Sequence, residues 1–247
     1  MVETVETFDG WYALHDFRTI DWEKWQQASE AQRKSVLDEF HSLASDWKTI
    51  TNEKQGDQAL FSIVGQKADL MFMTLRPTMK DLNKFENKFN KTALAHYMKP
   101  AYSYVSIIEK SSYTKPQTDP YEDPAMLSKL FPKIPETEYM CFYPMSKLRG
   151  ETNNWFTLPK EERGRMMLDH IKTAKPFTED VKRIITGSIG LDDYEWGVTL
   201  FCDDPLQFKK LIYDTRFDEV SAKYGIFGSF YIGNQLPFRE VDEYFSV

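Results

Sequence analysis

The order of apolar and polar residues divides the chain into two halves that predict the same elements. In the first half, apolar stretches predict strands and helical spacing predicts helices, with strands at 10–17, 57–65, 67–75 and 102–109 and helices at 29–47 and 77–92. In the second half, the strands fall at 139–145, 181–190, 194–202 and 227–233, and the helices at 158–173 and 204–221. Asp69 and Glu195 hold matching places, as do Leu82 and Phe208. The pattern therefore predicts an internal duplication.

Each half has the order strand–helix–strand–strand–helix–strand, which is typical of a ferredoxin-like unit. We therefore predict an α+β protein with one unit over 1–110 and a second over 138–247. The linker between them, 111–137, carries prolines at 116, 120, 124, 132 and 135. Because proline interrupts helices and central strands, no regular structure is expected there.

Composition and charge narrow the class of protein. The chain has 247 residues, 41% of them hydrophobic, and a net charge of −7, which argues against nucleic acid as a partner. No apolar run is long enough to span a membrane, and the acidic N-terminus does not resemble a signal peptide. Cys141 and Cys202 lie in apolar runs without metal-type spacing, which favours buried thiols in a reducing compartment. A soluble, cytoplasmic protein is expected.

Two patterns suggest chemistry. In the extended stretch CFYPMSK, alternation places Tyr143, Met145 and Lys147 on one side, an unusual combination for an ordinary apolar face. In the helix at 158–173, His170 shares a face with Met166 and Met167. Such a histidine can be a haem ligand or a core histidine bonded to a carbonyl, and the residues alone leave both roles open.

Several phrases of the chain carry a family resemblance: GWYALHDF, GQKADLMFMTLRP, NKFNK, PAYSYVSIIE, DPYEDP, CFYPMSK, NWFTLP, TGSIGLDDYEWGVTLF and RFDEVSAKYGIFGSFYIGN. Together they resemble the coproheme decarboxylases of Gram-positive bacteria, which belong to the chlorite dismutase superfamily. The resemblance runs from about residue 8 to about 235. It implies two ferredoxin-like units that form a dimeric α+β barrel within one chain, usually assembled as a homopentamer.

The resemblance also implies a reaction. Iron-coproporphyrin III (coproheme) is both substrate and redox cofactor, and hydrogen peroxide is the oxidant. A radical at Tyr143 takes hydrogen from a propionate, carbon dioxide leaves, and a vinyl group remains. Two rounds give haem b, the final step of coproporphyrin-dependent haem synthesis. The partner enzyme coproporphyrin ferrochelatase is a possible transient contact.

The same resemblance assigns roles to individual residues. His170 would be the proximal iron ligand, Lys147 would hold a propionate, and Met145 would pack against the macrocycle. Ser221 would donate a hydrogen bond to a propionate, and Tyr113 would lie close to the propionates.

Four positions depart from the family pattern. Ile171 replaces a glycine, and Lys175 and Lys129 stand where arginines are expected, Lys129 as the clamp of a reactive propionate. Lysine keeps the charge of arginine but loses its bidentate fork. Arg183 stands where the decarboxylases usually carry glutamine and where the chlorite dismutases place a distal arginine.

Arg183 therefore keeps a second hypothesis open, a haem b enzyme of the chlorite dismutase or peroxidase type. A third hypothesis is a haem-binding protein without catalysis, for which the four departures are the support. Tyr143, Lys147 and Ser221 form the decarboxylase set, so decarboxylation is the expectation we carry forward.

Overall fold

The computed structural model describes residues 3–113 and 119–247 and divides them into two compact units. We call Trp11–Val105 with Ile232–Val247 the first unit, and Ser106–Tyr231 with the stretch up to Gly10 the second unit. The boundaries predicted at 110 and 138 remain a prediction. In the described part of the chain, no helix is long and apolar enough to cross a membrane.

The first unit contains the predicted ferredoxin-like order. Its elements are β1 (Glu6–Ile20, which begins in the second unit), α1 (Trp22–Gln27), α2 (Glu30–Asn52), β2 (Asp57–Val64), β3 (Leu70–Arg76), α3 (Met79–Asn90) and β4 (Met98–Ser112, which ends in the second unit). The strands lie in the order β4-β1-β3-β2, with antiparallel pairing of β3 to both neighbours, and the end of the chain adds Ile232–Gln235 beside β2.

Aromatic side chains form the core of the first unit. The predicted apolar stripe of α2 is confirmed, because Val36, Phe40, Leu43 and Trp47 are all buried. Ser29 caps this helix with a full capping box, so its first turn is held by side chains as well as by packing. Trp47 lies 5.0 Å from Phe85 of α3 between ring centroids.

The second unit repeats the arrangement. Its elements are α4 (Pro124–Leu130), β5 (Tyr139–Lys147), α5 (Lys160–Ala174), β6 (Lys182–Gly187), β7 (Trp196–Cys202), α6 (Leu206–Thr215), α7 (Glu219–Tyr224), β8 (Gly225–Phe227) and the start of β9 (Tyr231–Gln235). A short helix, α8 (Val241–Tyr244), belongs to the first unit. The strands lie in the order β8-β5-β7-β6, and the last part of β4 pairs with β6.

Two expectations from the sequence were wrong in this unit. The linker contains the helix α4, because Pro124 occupies the first turn, where its missing N–H costs no hydrogen bond, and Asp123 accepts from Ala125 N–H at 2.9 Å. The helix predicted over 204–221 is two helices. Asp218 interrupts it with extended backbone and caps the second helix by accepting from Ser221 N–H at 2.8 Å.

The strand predicted over 227–233 was also wrong as a single strand, since β8 and β9 are separate. The remaining predicted strands and helices are present, with ends that differ by a few residues.

Candidate functional site

The register of the second sheet places three of the predicted residues on one face. Tyr143 pairs with Val198 and Arg183 pairs with Leu200, while Met145 lies two residues along β5 from Tyr143. Directly paired residues of antiparallel strands share a face, and so do residues two apart in one strand. Tyr143, Met145 and Arg183 therefore point to the same side of the sheet, as the alternation in CFYPMSK predicts.

Tyr143 sits in an aromatic environment. Its ring stacks on Phe230 with centroids 4.4 Å apart and lies 6.0 Å from Phe227. Burial raises the pKa of its phenol, Cys141 adds to the rise, and the charges of Arg216 and Arg183 oppose it. The phenol therefore keeps its proton at neutral pH and can donate or lose a hydrogen.

Arg216 is a residue that sequence reasoning missed. Its guanidinium carbon lies 3.4 Å from the centroid of Phe227, and its charge acts on Tyr143. The available signal was its place at the start of RFDEVSAKY, but nothing local showed that it would fold back to the phenol.

Lys147 is a buried cation with an exposed fraction of 8%. Its backbone N–H donates to Glu195 Oε2 at 2.7 Å, and its Nζ lies 5.1 Å from the ring centroid of Trp155. Burial lowers the pKa of Lys147 to about 8, while the carboxylates of Asp218 and Glu195 oppose the change. An anionic ligand would offset the cost of burying this charge.

His170 lies on the inner face of α5, together with the buried residues Met166 and Ala174. Its Nδ1 lies 2.7 Å from Asp218 Oδ2, and its side chain is 33% exposed. A carboxylate on one ring nitrogen fixes the tautomer and makes the other nitrogen the better metal ligand. The predicted methionine-rich face is confirmed for Met166, which is buried, while Met167 is half-buried.

Asp218 joins the separate parts of the site. Its Oδ2 contacts His170, its Oδ1 accepts from Ser221 N–H at 2.8 Å, and its charge acts on Lys147. Ser221 is buried beside it. His170, Ser221 and Lys147 are therefore brought together by one carboxylate, which sequence reasoning did not identify.

Tyr113 and Lys129 lie on other elements of the second unit. Tyr113 packs on α5, where its Cδ1 is 3.1 Å from the position that a Cβ on Gly164 would occupy. Burial raises the pKa of Tyr113, and Arg163 opposes the rise. Lys129 is exposed near the end of α4. Of the departures near His170, Ile171 is exposed and Lys175, at the end of α5, is exposed as well.

The residues present fit a haem-type porphyrin. His170 supplies an imidazole whose second nitrogen is free of the Asp218 contact, and the sheet face carries a stacked phenol and the thioether of Met145. The buried cation of Lys147 matches the carboxylates that such a macrocycle carries. An axial imidazole with hydrophobic surroundings and carboxylate-binding cations is the donor set that a haem requires.

Comparison with known proteins gives the same fold. The family model described as Chlorite dismutase matches residues 24–236. A structure described as a novel heme-binding protein from Thermus thermophilus is similar at 40% identity and a TM-score of 0.97, covering 100% of this chain and 99% of that one. A variant of chlorite dismutase from Candidatus Nitrospira defluvii is similar at 20% identity and a TM-score of 0.79, covering 96% of each chain. The predicted α+β fold of two ferredoxin-like units is confirmed.

Proposed function

We propose that this chain, which belongs to the chlorite dismutase family, is a haem-dependent oxidoreductase that decarboxylates coproheme to haem b. The observation that carries the proposal is the shared face of Tyr143 and Met145 on β5, with the buried cation of Lys147 at the end of the same strand. An oxidisable phenol and a carboxylate-binding cation on one strand suit oxidation of a side chain that ends in a carboxylate.

When bound, iron-coproporphyrin III supplies the redox chemistry with hydrogen peroxide and is itself the substrate. Each round converts one propionate and one peroxide to a vinyl group, carbon dioxide and two molecules of water. Tyr143 loses its phenolic hydrogen and then takes a hydrogen atom from the propionate. The stacked Phe230 holds the ring in place, and burial keeps the phenol protonated until that step.

Lys147 would bind a propionate carboxylate through Nζ, and Ser221 would donate a hydrogen bond to another. His170 would hold the iron through Nε2, with Asp218 on Nδ1. The roles of Met145, Tyr113 and Lys129 rest on the family resemblance. A homopentamer, transient contact with the ferrochelatase and a cytoplasmic location rest on it as well.

Arg183 supports a second candidate function, chlorite or peroxide chemistry on haem b. Its guanidinium shares the sheet face of Tyr143, and burial lowers its pKa, which favours pairing with an anion. A third candidate, haem binding without turnover, is supported by the description of the Thermus thermophilus protein.

The variants Tyr143→Phe and Arg183→Gln separate these functions. Decarboxylation predicts that Tyr143→Phe binds coproheme normally but forms no haem b with peroxide, while Arg183→Gln still forms it. Chlorite chemistry predicts oxygen release from the haem-loaded protein that Arg183→Gln abolishes and Tyr143→Phe retains. Reversible binding with no product in either assay would contradict both enzymatic functions.

A further inference from the structure

Lys110 lies near the end of β4, beside the strand that carries Arg183. The pair Ile108↔Thr186 fixes the antiparallel register of β4 and β6. Two residues further along β4, Lys110 comes opposite Ile184, one position from Arg183. Adjacent positions on neighbouring strands bring two long side chains within reach of each other.

Helix α4 brings a third cation to the same place. The carbonyl of Leu130 lies so close to Gly10 that a Cβ there would be 1.9 Å from its oxygen. Gly10 belongs to β1, the strand next to β4, and Asp9 is close enough to Glu109 to raise the pKa of that carboxyl further after burial has raised it. Lys129, which precedes Leu130, is therefore held near Lys110.

The electrostatics agree with this geometry. Burial lowers the pKa of Lys110, and the charges of Lys129 and Arg183 lower it further. Like charges that repel across a half-buried site weaken the fold unless an anion joins them.

The described residues supply no such anion. Among residues 3–113 and 119–247, Lys110, Lys129 and Arg183 form no ion pair with a carboxylate. The intervening residues 114–118 read TKPQT and contain no acidic side chain. The neighbouring Glu109 turns toward Gly187, with its Oε2 2.9 Å from the position that a Cβ of Gly187 would occupy.

We propose that Lys110 is a further substrate-binding residue, which together with Lys129 and Arg183 binds a propionate that coproheme has and haem b lacks. This inference rests on the proposed function. Two lysines can together donate to both oxygens of a carboxylate and so replace the fork of the arginine expected at position 129. Because the charge of Arg183 also acts on Tyr143, the carboxylate would be held near the phenol.

The test compares the affinities of coproheme and haem b in Lys110→Met, measured by absorbance titration of the apo protein without peroxide. Lys182→Met is the matched control, since Lys182 lies on the same strand as Arg183 but is exposed. We expect the Kd for coproheme to rise about tenfold in Lys110→Met, and the Kd for haem b to stay within about twofold. Lys182→Met should change neither, and Lys110→Arg should restore tight binding of coproheme.

Equal shifts for both porphyrins, or no shift for either, would overturn the role of Lys110. A melting curve of apo Lys110→Met guards against misfolding, because removal of a repelled charge is expected to raise the melting temperature above that of the wild type. Failure of the proposed function is seen separately, as wild-type protein that does not convert coproheme with peroxide.

Discussion

Asp218 holds His170 through a 2.7 Å contact between Oδ2 and Nδ1, although 48 residues separate them in the chain. The same carboxylate caps α7 through Ser221 N–H and acts on the charge of Lys147. One acidic side chain therefore sets the orientation of the candidate iron ligand and joins it to the candidate carboxylate-binding residues.

Asp218→Asn should weaken iron ligation without unfolding α7. Asparagine caps a helix about as well as aspartate, but it carries no charge to orient the imidazole and raise its basicity. We expect haem to be lost roughly 10- to 100-fold faster, measured by transfer to apomyoglobin. Glu219→Gln is the control, because Glu219 is a neighbouring acid that contacts Arg165 and Lys223 instead. Identical transfer rates for wild type and Asp218→Asn would contradict the role of Asp218.

Lys147→Met should stabilise the apo protein in a pH-dependent way. The pKa of Lys147 is lowered in the folded state to about 8, so folding disfavours its charged form. The cost is complete below about pH 8 and is relieved as the pH rises from there toward the unfolded pKa. We expect Lys147→Met to raise the free energy of unfolding by about 1–3 kcal/mol at pH 7, with a smaller gain at pH 10. Urea unfolding at both pH values measures this, and a gain that grows with pH would contradict the assignment.

Both cysteines should be inert to alkylation in the native protein. Burial raises the pKa of Cys141 to about 12 and that of Cys202 to about 11, and both thiols are almost completely buried. Since only the thiolate is nucleophilic, iodoacetamide at pH 8 should label neither residue until denaturant is added. Mass spectrometry of the intact protein counts the labels, and rapid native labelling of either cysteine would show that this sheet opens.

Gly10→Ala should loosen helix α4. Its new Cβ would meet the carbonyl oxygen of Leu130, which belongs to backbone and has little room to move. We expect a loss of roughly 1–3 kcal/mol in unfolding free energy and faster proteolysis within 111–137. Ser128→Ala, on the exposed side of α4, is the control. If Gly10→Ala is cut no faster than the control, the contact between Gly10 and Leu130 does not hold the helix.

The duplication could be predicted from the sequence, and one pair of acids shows why. Asp69 and Glu195 were matched by position alone, and each accepts a backbone N–H at 2.7 Å, from Ile20 and Lys147 respectively. The repeated pattern thus reflects the same hydrogen bond in both units, which is a local requirement of the fold.

The chemistry could not be predicted in the same way. In the matched register, Phe72 corresponds to Val198, so their partners Asp16 and Tyr143 hold equivalent places. Asp16 is a buried carboxylate paired with Arg18 at 2.6 Å, and it shares nothing chemical with a stacked phenol. The fold repeats while the residues on its faces differ, so the site of the second unit is not visible in the first.

Other parts of the site depend on contacts between distant segments. The link from Asp218 to His170, the place of Arg216 above Phe227 and the approach of Lys129 to Lys110 all arise when helices pack on the sheet. Periodicity describes one segment at a time, which is why it predicted α5 and β5 but not the carboxylate that joins them. Family resemblance supplied the expected roles of Tyr143, Lys147 and His170, and their conversion of a substrate remains to be measured.

The most direct measurement follows iron-coproporphyrin III bound to the wild-type protein by mass spectrometry while peroxide is added in small steps. The account predicts stepwise loss of two carboxyl groups through a three-propionate intermediate, ending in haem b. Coproheme that survives or is only bleached would contradict it.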